Sequence, residues 1–301
     1  MESKQDTHLT DPRTQYYADE FPEQKETKRP ALNQYMTPKP DCGETSYVGH
    51  GRLENRNALI TGGDSGIGRA TAIAYAREGA NVAIQFIPGE EADAEEVKQL
   101  VEAEGRQALL LAYDLRDDQA ATEIVEKTVE AFGALDILVL NAAMQIAVDS
   151  LDDLNMTQVE DTFKVNIISM FESIKAAEKH LKPGSSIITT TSSQSFSPSK
   201  HLLDYAATNA AISNITVNFA QYFADKGVRV NSVSPGPVWT PLQLNDGQLD
   251  GMIHTFGQDS LIGRAGQPVE LAPIYVFFAS DEASFVTAQI YGINGGRNIN
   301  L

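Results

Sequence analysis

The sequence predicts a doubly wound α/β domain, a single parallel sheet of about seven strands with helices on both faces. Three observations predict it. Short apolar runs alternate with amphipathic stretches from about residue 57 to the end of the chain. The runs Ala58-Leu-Ile60, Ile137-Leu-Val-Leu140 and Ile187-Ile-Thr189 are apolar without alternation, as strands buried on both faces are. A glycine cluster, Thr61-Gly-Gly-Asp-Ser-Gly-Ile-Gly68, stands where the first run meets the first amphipathic stretch.

The elements follow in order. Residues 57–61 form a short strand that ends in the glycines. Residues 67–78 are helical, with Ile67, Ala70, Ala74 and Tyr75 on one face. Strand 81–87 comes next, then an acidic amphipathic helix over 91–104 and a strand over 108–113. A helix at 117–132, a strand at 137–140 and one long helix at 157–181 follow. Strand 186–191, helix 202–226, strand 229–234, helix 269–280 and strand 288–291 complete the chain. Parallel strands joined through helices require right-handed crossovers, so consecutive units wind onto one sheet.

Composition limits the partners. The chain has 301 residues, 42% of them apolar and 21% charged, which suits a globular domain with a sizeable core. Its net charge of -18 repels nucleic acid and anionic membrane, so neither is expected as a partner. Cys42 is the only cysteine, so no intramolecular disulfide forms, which fits a reducing compartment. The first residues, Met1-Glu-Ser-Lys-Gln-Asp6, lack an apolar core, and the expected location is cytoplasmic. No metal-ligand pattern is present.

Residues 1–50 read as a separate extended arm and 51–301 as the domain proper. Pro12, Pro22, Pro30, Pro38 and Pro40 recur amid Glu, Lys, Gln and Thr, a composition with little to bury. Two readings compete: a disordered tail, or an arm draped on a neighbouring subunit through Tyr16, Tyr17, Phe21, Tyr35 and Tyr47.

The glycine cluster follows a strand and opens a helix, the context that gives such a motif meaning. Gly62 makes the turn; Gly66 and Gly68 let a pyrophosphate approach the backbone and let the helix pack on the strand, and Ser65 and Ile67 flank the helix N-terminus that faces it. No Gly-Lys-Ser/Thr follows, which excludes a triphosphatase loop. A Rossmann-type dinucleotide site is the expectation, with NAD or NADP as the cofactor. A carboxylate about 20 residues on reads a ribose 2′-hydroxyl, whereas a basic residue accepts a 2′-phosphate. No Lys or Arg lies between Gly79 and Val97, and Glu90 and Glu91 are near the strand end. This leans toward NAD.

Further on, Ser192 closes an apolar run thirteen residues before Tyr205, and Tyr205 begins the segment Tyr205-Ala-Ala-Thr-Asn209. With the glycine loop, this order and spacing resemble the short-chain dehydrogenase/reductase family. The resemblance covers essentially the whole chain. It implies a tyrosine, Tyr205, that exchanges a proton with the substrate oxygen, a serine, Ser192, that hydrogen-bonds that oxygen, and an asparagine, Asn166, that holds a water in the proton relay. It also implies that Asp114 and Leu115 meet the adenine. Asn141, in Leu140-Asn-Ala-Ala143, matches a motif usually written Asn-Asn-Ala-Gly, so the first asparagine is replaced here by leucine and the glycine by alanine. Pro235, Gly236, Val238 and Thr240 match the loop that closes on the nicotinamide. The arm, His201–Tyr205 and 239–243 are similar to one subgroup with an N-terminal extension, whose members are treated as NAD(P)-dependent oxidoreductases.

One position departs from the family. Four residues after the tyrosine the family has a lysine that holds the nicotinamide ribose and lowers the tyrosine's pKa; here that place is Asn209. Positions 205 and 209 share a helix face, so the side chain still points at the site. An uncharged amide neither depresses the phenol's pKa nor offers a charged hydrogen bond, so oxidation suffers more than reduction. Lys200 and His201 are the nearest cations that could lean in, and a solvated loop is the simpler reading for both. The leading function is a carbonyl reductase or alcohol dehydrogenase acting on a small apolar molecule. The alternatives are a non-redox enzyme on the same fold (a cyclase, isomerase or dehydratase using Tyr205 and Ser192) and a dinucleotide-binding protein without turnover. The resemblance also implies a homodimer or homotetramer through helices 157–181 and 202–226.

Overall fold

The computed structural model describes residues 9–24 and 30–297; the segments 1–8, 25–29 and 298–301, including part of the arm, lie outside the described residues. Seven strands form one sheet in the order β3-β2-β1-β4-β5-β6-β7, and every neighbouring pair is parallel. They are β1 Asn57–Thr61, β2 Asn81–Phe86, β3 Ala108–Ala112, β4 Ile137–Leu140, β5 Ser186–Thr190, β6 Arg229–Pro235 and β7 Ile290–Ile293. Chain order reverses between β1 and β4, which opens a crevice at the carboxyl ends of those strands. The unalternating runs are the central strands: β1 and β4 are buried at every residue.

Helices α1 (Gly66–Arg77), α2 (Glu91–Ala103) and α7 (Pro268–Ala279) cover one face. Helices α3 (Ala120–Phe132), α5 (Ser169–Ala177) and α6 (Leu203–Phe223) cover the other. Small residues make the first face tight: Ala70, Ala72, Ala74 and Ala76 of α1 are all buried.

The helix expected over 157–181 is not continuous. Helix α4 (Met156–Phe163) passes into a π-helical turn, Lys164–Ile168, before α5 begins. Asn166 sits inside that turn. Single π turns within helices are found mostly at functional sites. The apolar periodicity carries across the turn, so the pattern gave no sign of the break.

The described part of the arm packs on the chain itself through several of its expected anchors. Phe21 stacks on Trp239 with ring centroids 3.9 Å apart, and together with Met36, Leu244 and Ile253 they form a small core of their own. The Trp239 indole donates to the Pro38 carbonyl at 2.8 Å. Tyr47 is buried and donates to Glu78 at 2.6 Å. Tyr35 alone of the buried-or-exposed aromatics in this arm stays mostly open, at 56% exposure. Apolar content decided this: the arm carries enough aromatic surface to bury against Trp239 and the chain's own lid, residues 242–266.

Candidate active site

One cavity of about 1070 Å³ runs along the crevice. The start of α1, the β4 end, the β5 end, the first turns of α6 and the β6 loop all open into it. Of the residues expected to bind a dinucleotide, Gly62, Ser65, Gly66, Ile67, Asp114, Leu115, Asn141, Tyr205, Asn209, Pro235, Gly236, Val238 and Thr240 line it, as do the expected catalytic residues Ser192, Tyr205 and Asn166. Gly68 does not. It packs beneath the loop, where an added Cβ would lie 1.8 Å from the Gly62 carbonyl oxygen.

The glycine loop fits a phosphate. Gly62 and Gly66 adopt positive φ of 61° and 51°, which favours glycine. A Cβ on Gly66 would meet Thr240 at 2.9 Å. Ser65 makes no side-chain capping bond, so the first N–H groups of α1 keep their donors for a ligand. Two ties hold the loop. The Gly62 N–H donates to Gln85 Oε1 at 3.0 Å. Asn141 Nδ2 donates to the Thr61 and Gly62 carbonyls at 3.2 and 3.3 Å, while the Thr61 hydroxyl accepts the Asn141 and Ala142 N–H groups.

At the far end of the loop lies a carboxyl pair that sequence spacing half revealed. Asp64 is 1% exposed, and its Oδ2 has no hydrogen-bond partner. Glu90 lies beside it on the cavity wall. Burial, and then the neighbouring Asp64 charge, raises the Glu90 carboxyl well above its ordinary range. Burial also raises Asp64. Two carboxyls this close do not both ionise readily. Asp114 is occupied differently: Arg116 grips it at 2.6 Å and holds its carboxyl below the usual range.

The reactive end is built from β5, the π turn and α6. Tyr205 and Ser192 are each 8% exposed and Asn209 is 2% exposed. Ser192 Oγ accepts the Gln194 N–H at 3.2 Å. Burial pushes the Tyr205 phenol up; hydrogen bonding from Ser192 and Asn209 offsets part of this. Asn209 Nδ2 donates to the backbone carbonyl of Tyr205 at 2.8 Å, one helical turn back. Asn166 is clamped: Oδ1 accepts the Met144 N–H at 2.7 Å, and Nδ2 donates to the Met144 carbonyl at 3.1 Å and to Thr208 Oγ1 at 3.0 Å. Its amide thus fixes the loop after β4 against α6.

No cation replaces the missing lysine. Lys200 and His201 do not line the cavity; the His201 ring and backbone bond to Val148 and Ser199. The described cations on the wall are Arg116 and Arg297, each held by an aspartate.

Sequence reasoning missed two groups. Asp204, buried at 4% exposure, accepts Gln158 and Thr162 at 3.1 and 2.8 Å and anchors the start of α6 against α4; its place directly before Tyr205 was the available signal. Gln145, Gln194, Gln243 and Gln248 also line the cavity, whereas a small apolar substrate was expected. Isolated glutamines carry no spacing signature, so only the fold brings them together. Among the described residues, no group of three or more His, Cys, Asp or Glu is placed to hold a metal ion, and no helix is long and apolar enough to cross a membrane.

Comparison with known proteins agrees with this geometry. Residues 62–298 match a family model described as enoyl-(acyl carrier protein) reductase. The chain is 52% identical to the uncharacterized oxidoreductase YghA of Escherichia coli over 97% of its own length and 99% of the relative's. A short-chain dehydrogenase from Burkholderia cenocepacia in complex with NADP superposes with a TM-score of 0.76 at 33% identity, covering 82% of this chain and 99% of that one. A 3-ketoacyl-(acyl-carrier-protein) reductase from Brucella melitensis complexed with NADH superposes with a TM-score of 0.74 at 28% identity, covering 82% of this chain and all (100%) of that one. The chain belongs to the short-chain dehydrogenase/reductase family of oxidoreductases.

Proposed function

We propose that this member of the short-chain dehydrogenase/reductase family is a dinucleotide-dependent carbonyl reductase that prefers NAD(H) and runs poorly in the alcohol-oxidising direction. The observation that carries the reading is the single cavity that joins an open phosphate loop to Ser192 and Tyr205. When bound, the dinucleotide supplies the hydride to the carbonyl carbon. Gly62, Ser65, Gly66 and Ile67 would hold its phosphates, and Pro235–Thr240 would close on its nicotinamide end. Relatives of this fold carry NADP or NADH, so the fold alone does not choose.

The chain's residues do the rest. A neutral Tyr205 hydroxyl donates its proton to the carbonyl oxygen, and Ser192 donates a second hydrogen bond to the same atom. A phenol raised by burial is fully protonated at neutral pH, which is the form reduction needs. The reverse step needs a phenolate, and Asn209 brings no charge to stabilise one. The preference for NAD(H) rests on the carboxyls of Asp64 and Glu90 at the cavity's adenosine end, which can hydrogen-bond a ribose hydroxyl, and on the described wall residues, whose cations Arg116 and Arg297 are already paired and leave none for a 2′-phosphate.

Assembly through α4–α5 and α6 belongs to the same reading. Phe171 and Tyr222 leave 44% and 55% of their surface open on these helices, more than an apolar core-facing stripe needs. Sedimentation velocity should give a dimer or tetramer.

Fluorescence titration with NADH and NADPH tests the cofactor, and loss of reduced-nicotinamide absorbance with simple ketones tests the reaction. NADH should bind at least about tenfold more tightly than NADPH. Failure of either nucleotide to bind would overturn the proposal.

A further inference from the structure

The catalytic end of the cavity is walled by carboxamides, each with one end already committed. Gln145 is 6% exposed and its Nε2 donates to the Gly247 carbonyl at 2.7 Å, which leaves Oε1 as an open acceptor. Gln194 Oε1 accepts the Ser199 N–H at 2.6 Å, so its NH₂ is an open donor. Gln248 Nε2 donates to Gln243 Oε1 at 2.8 Å. That pair therefore presents a Gln248 acceptor and a Gln243 donor. The backbone bonds fix which end of Gln145 and of Gln194 faces the cavity, and the Gln243–Gln248 pair offers one donor and one acceptor whichever way round it is set. All four line the cavity that holds Tyr205. Two touch the catalytic residues' own supports. Gln194 donates its N–H to Ser192 Oγ, and Gln145 follows Met144, the residue clamped by Asn166.

Amide ends left open on a cavity wall offer a ligand donors and acceptors in fixed places. Two donors and two acceptors suit groups that both give and take a hydrogen bond, which describes hydroxyls. Charged substrates fit poorly, because Arg297 and Asp259 on this wall are paired with each other. A long acyl chain fits poorly too, since it would leave all four amide ends unpaired. Phe256 and Leu202 on the same wall offer apolar contact for the carbon backbone of a short polyol.

We infer that Gln145, Gln194, Gln243 and Gln248 form a substrate subsite for a small, uncharged, polyhydroxylated carbonyl compound. This rests on the carbonyl-reductase reading and names the substrate class for the same site. Each hydroxyl engaged should be worth up to about tenfold in kcat/KM.

The test compares two ketones with one carbon skeleton, 2-butanone and erythrulose (1,3,4-trihydroxy-2-butanone), on the NADH-loaded full chain. Erythrulose should be reduced with a kcat/KM at least about 100-fold above that of 2-butanone. Gln145→Met and Gln248→Met keep side-chain volume and remove the hydrogen bonds. Each should lower the erythrulose value about tenfold and leave 2-butanone and NADH binding within about twofold. Equal use of both ketones by the wild type overturns the inference, and so does an equal loss for both in the variants. If NADH binds but neither ketone is turned over, the reductase reading fails by itself. Saturation-transfer NMR on the NADH complex then decides the subsite: erythrulose binding that weakens in both variants supports it, and no erythrulose binding overturns it.

Discussion

Replacing Asn209 by lysine tests what this chain gave up. Asn209 is nearly fully buried yet faces the cavity, so a longer side chain has space to extend toward the phenol of Tyr205 without unpacking α6. An ammonium about 5 Å from the phenol oxygen, at an effective dielectric of about 20, interacts with a phenolate by about 3 kcal/mol. That equals a fall of about two pKa units. At mildly alkaline pH the phenolate fraction, and with it the rate of alcohol oxidation, should rise about a hundredfold. Reduction starts from a phenol that is already protonated. It should gain only about tenfold, through the greater acidity of the donor. The same ammonium can bond the nicotinamide ribose, and a charge-assisted bond worth about 1.5–3 kcal/mol should tighten NADH binding at least about tenfold. The assay is the pH profile of kcat/KM for oxidation of a secondary alcohol, beside NADH titration. The acid limb of the profile should move about two pH units lower in Asn209→Lys. An unmoved limb in a folded, NADH-binding variant would refute the reasoning, because the side chain at 209 would then have no electrostatic hold on Tyr205.

Other outcomes follow from the same contacts. Glu90→Gln removes one of two carboxyls that share a cramped site. Raised carboxyls bind protons that the unfolded chain has released, so their contribution to stability falls as pH rises from about 4 through neutrality. Glu90→Gln should therefore raise the Tm near pH 8 and leave it nearly unchanged near pH 4; an equal Tm gain at both pH values would contradict the mutual suppression of ionisation by the two carboxyls. Glu78 behaves in the opposite way. Burial would raise it, but Arg52, the His50 and Arg52 N–H groups and Tyr47 together hold it at about 2. Its contribution is present above its ordinary range and is lost as pH falls from 4.5 toward 2. Glu78→Ala should cost about 3–5 kcal/mol in urea unfolding at pH 7, since it strands the partly buried Arg52. The arm also spans the cofactor cleft. The Ala31 N–H donates to Asn245 on the lid at 2.8 Å, and the Asn33 N–H donates to Asp93 on α2 at 2.6 Å. Asn245→Ala should speed stopped-flow release of NADH by about threefold to tenfold, the worth of one hydrogen bond.

The fold was legible because parallel strands leave a coarse trace. Seven apolar runs and a glycine turn in the right context lead to the sheet without knowledge of any contact. Most of the cavity wall was legible for the same reason, since its residues sit at strand ends that the alternation already marks. Gly68 shows the packing side of the motif: an added Cβ would lie 1.8 Å from the Gly62 carbonyl, so the glycine lets the helix sit against the strand end. The π turn at Asn166 escaped because side-chain periodicity hardly changes when one turn gains a residue. The arm escaped because composition records how much a segment could bury, not where. Phe21 finds Trp239, more than 200 residues away in sequence, and no local pattern encodes that pairing.

That pairing carries a consequence for the site. Trp239 lies within the loop expected to close on the nicotinamide, between Val238 and Thr240, which both line the cavity. Its indole is fully buried between Phe21 and the Pro38 carbonyl. The arm therefore holds the loop from behind while the loop's other face lines the cavity. Phe21→Ala removes a ring that is 2% exposed. By the usual cost of emptying an aromatic site it should destabilise the chain by about 3–5 kcal/mol. If the arm also sets the loop's position, a milder change should separate the two roles. Phe21→Leu keeps most of the apolar volume and loses the stacking, worth about 0.5–1.5 kcal/mol. It should raise KM for the carbonyl substrate at temperatures where the protein remains fully folded. An unchanged KM with a lowered Tm would confine the arm to a stabilising role and leave the loop to hold itself.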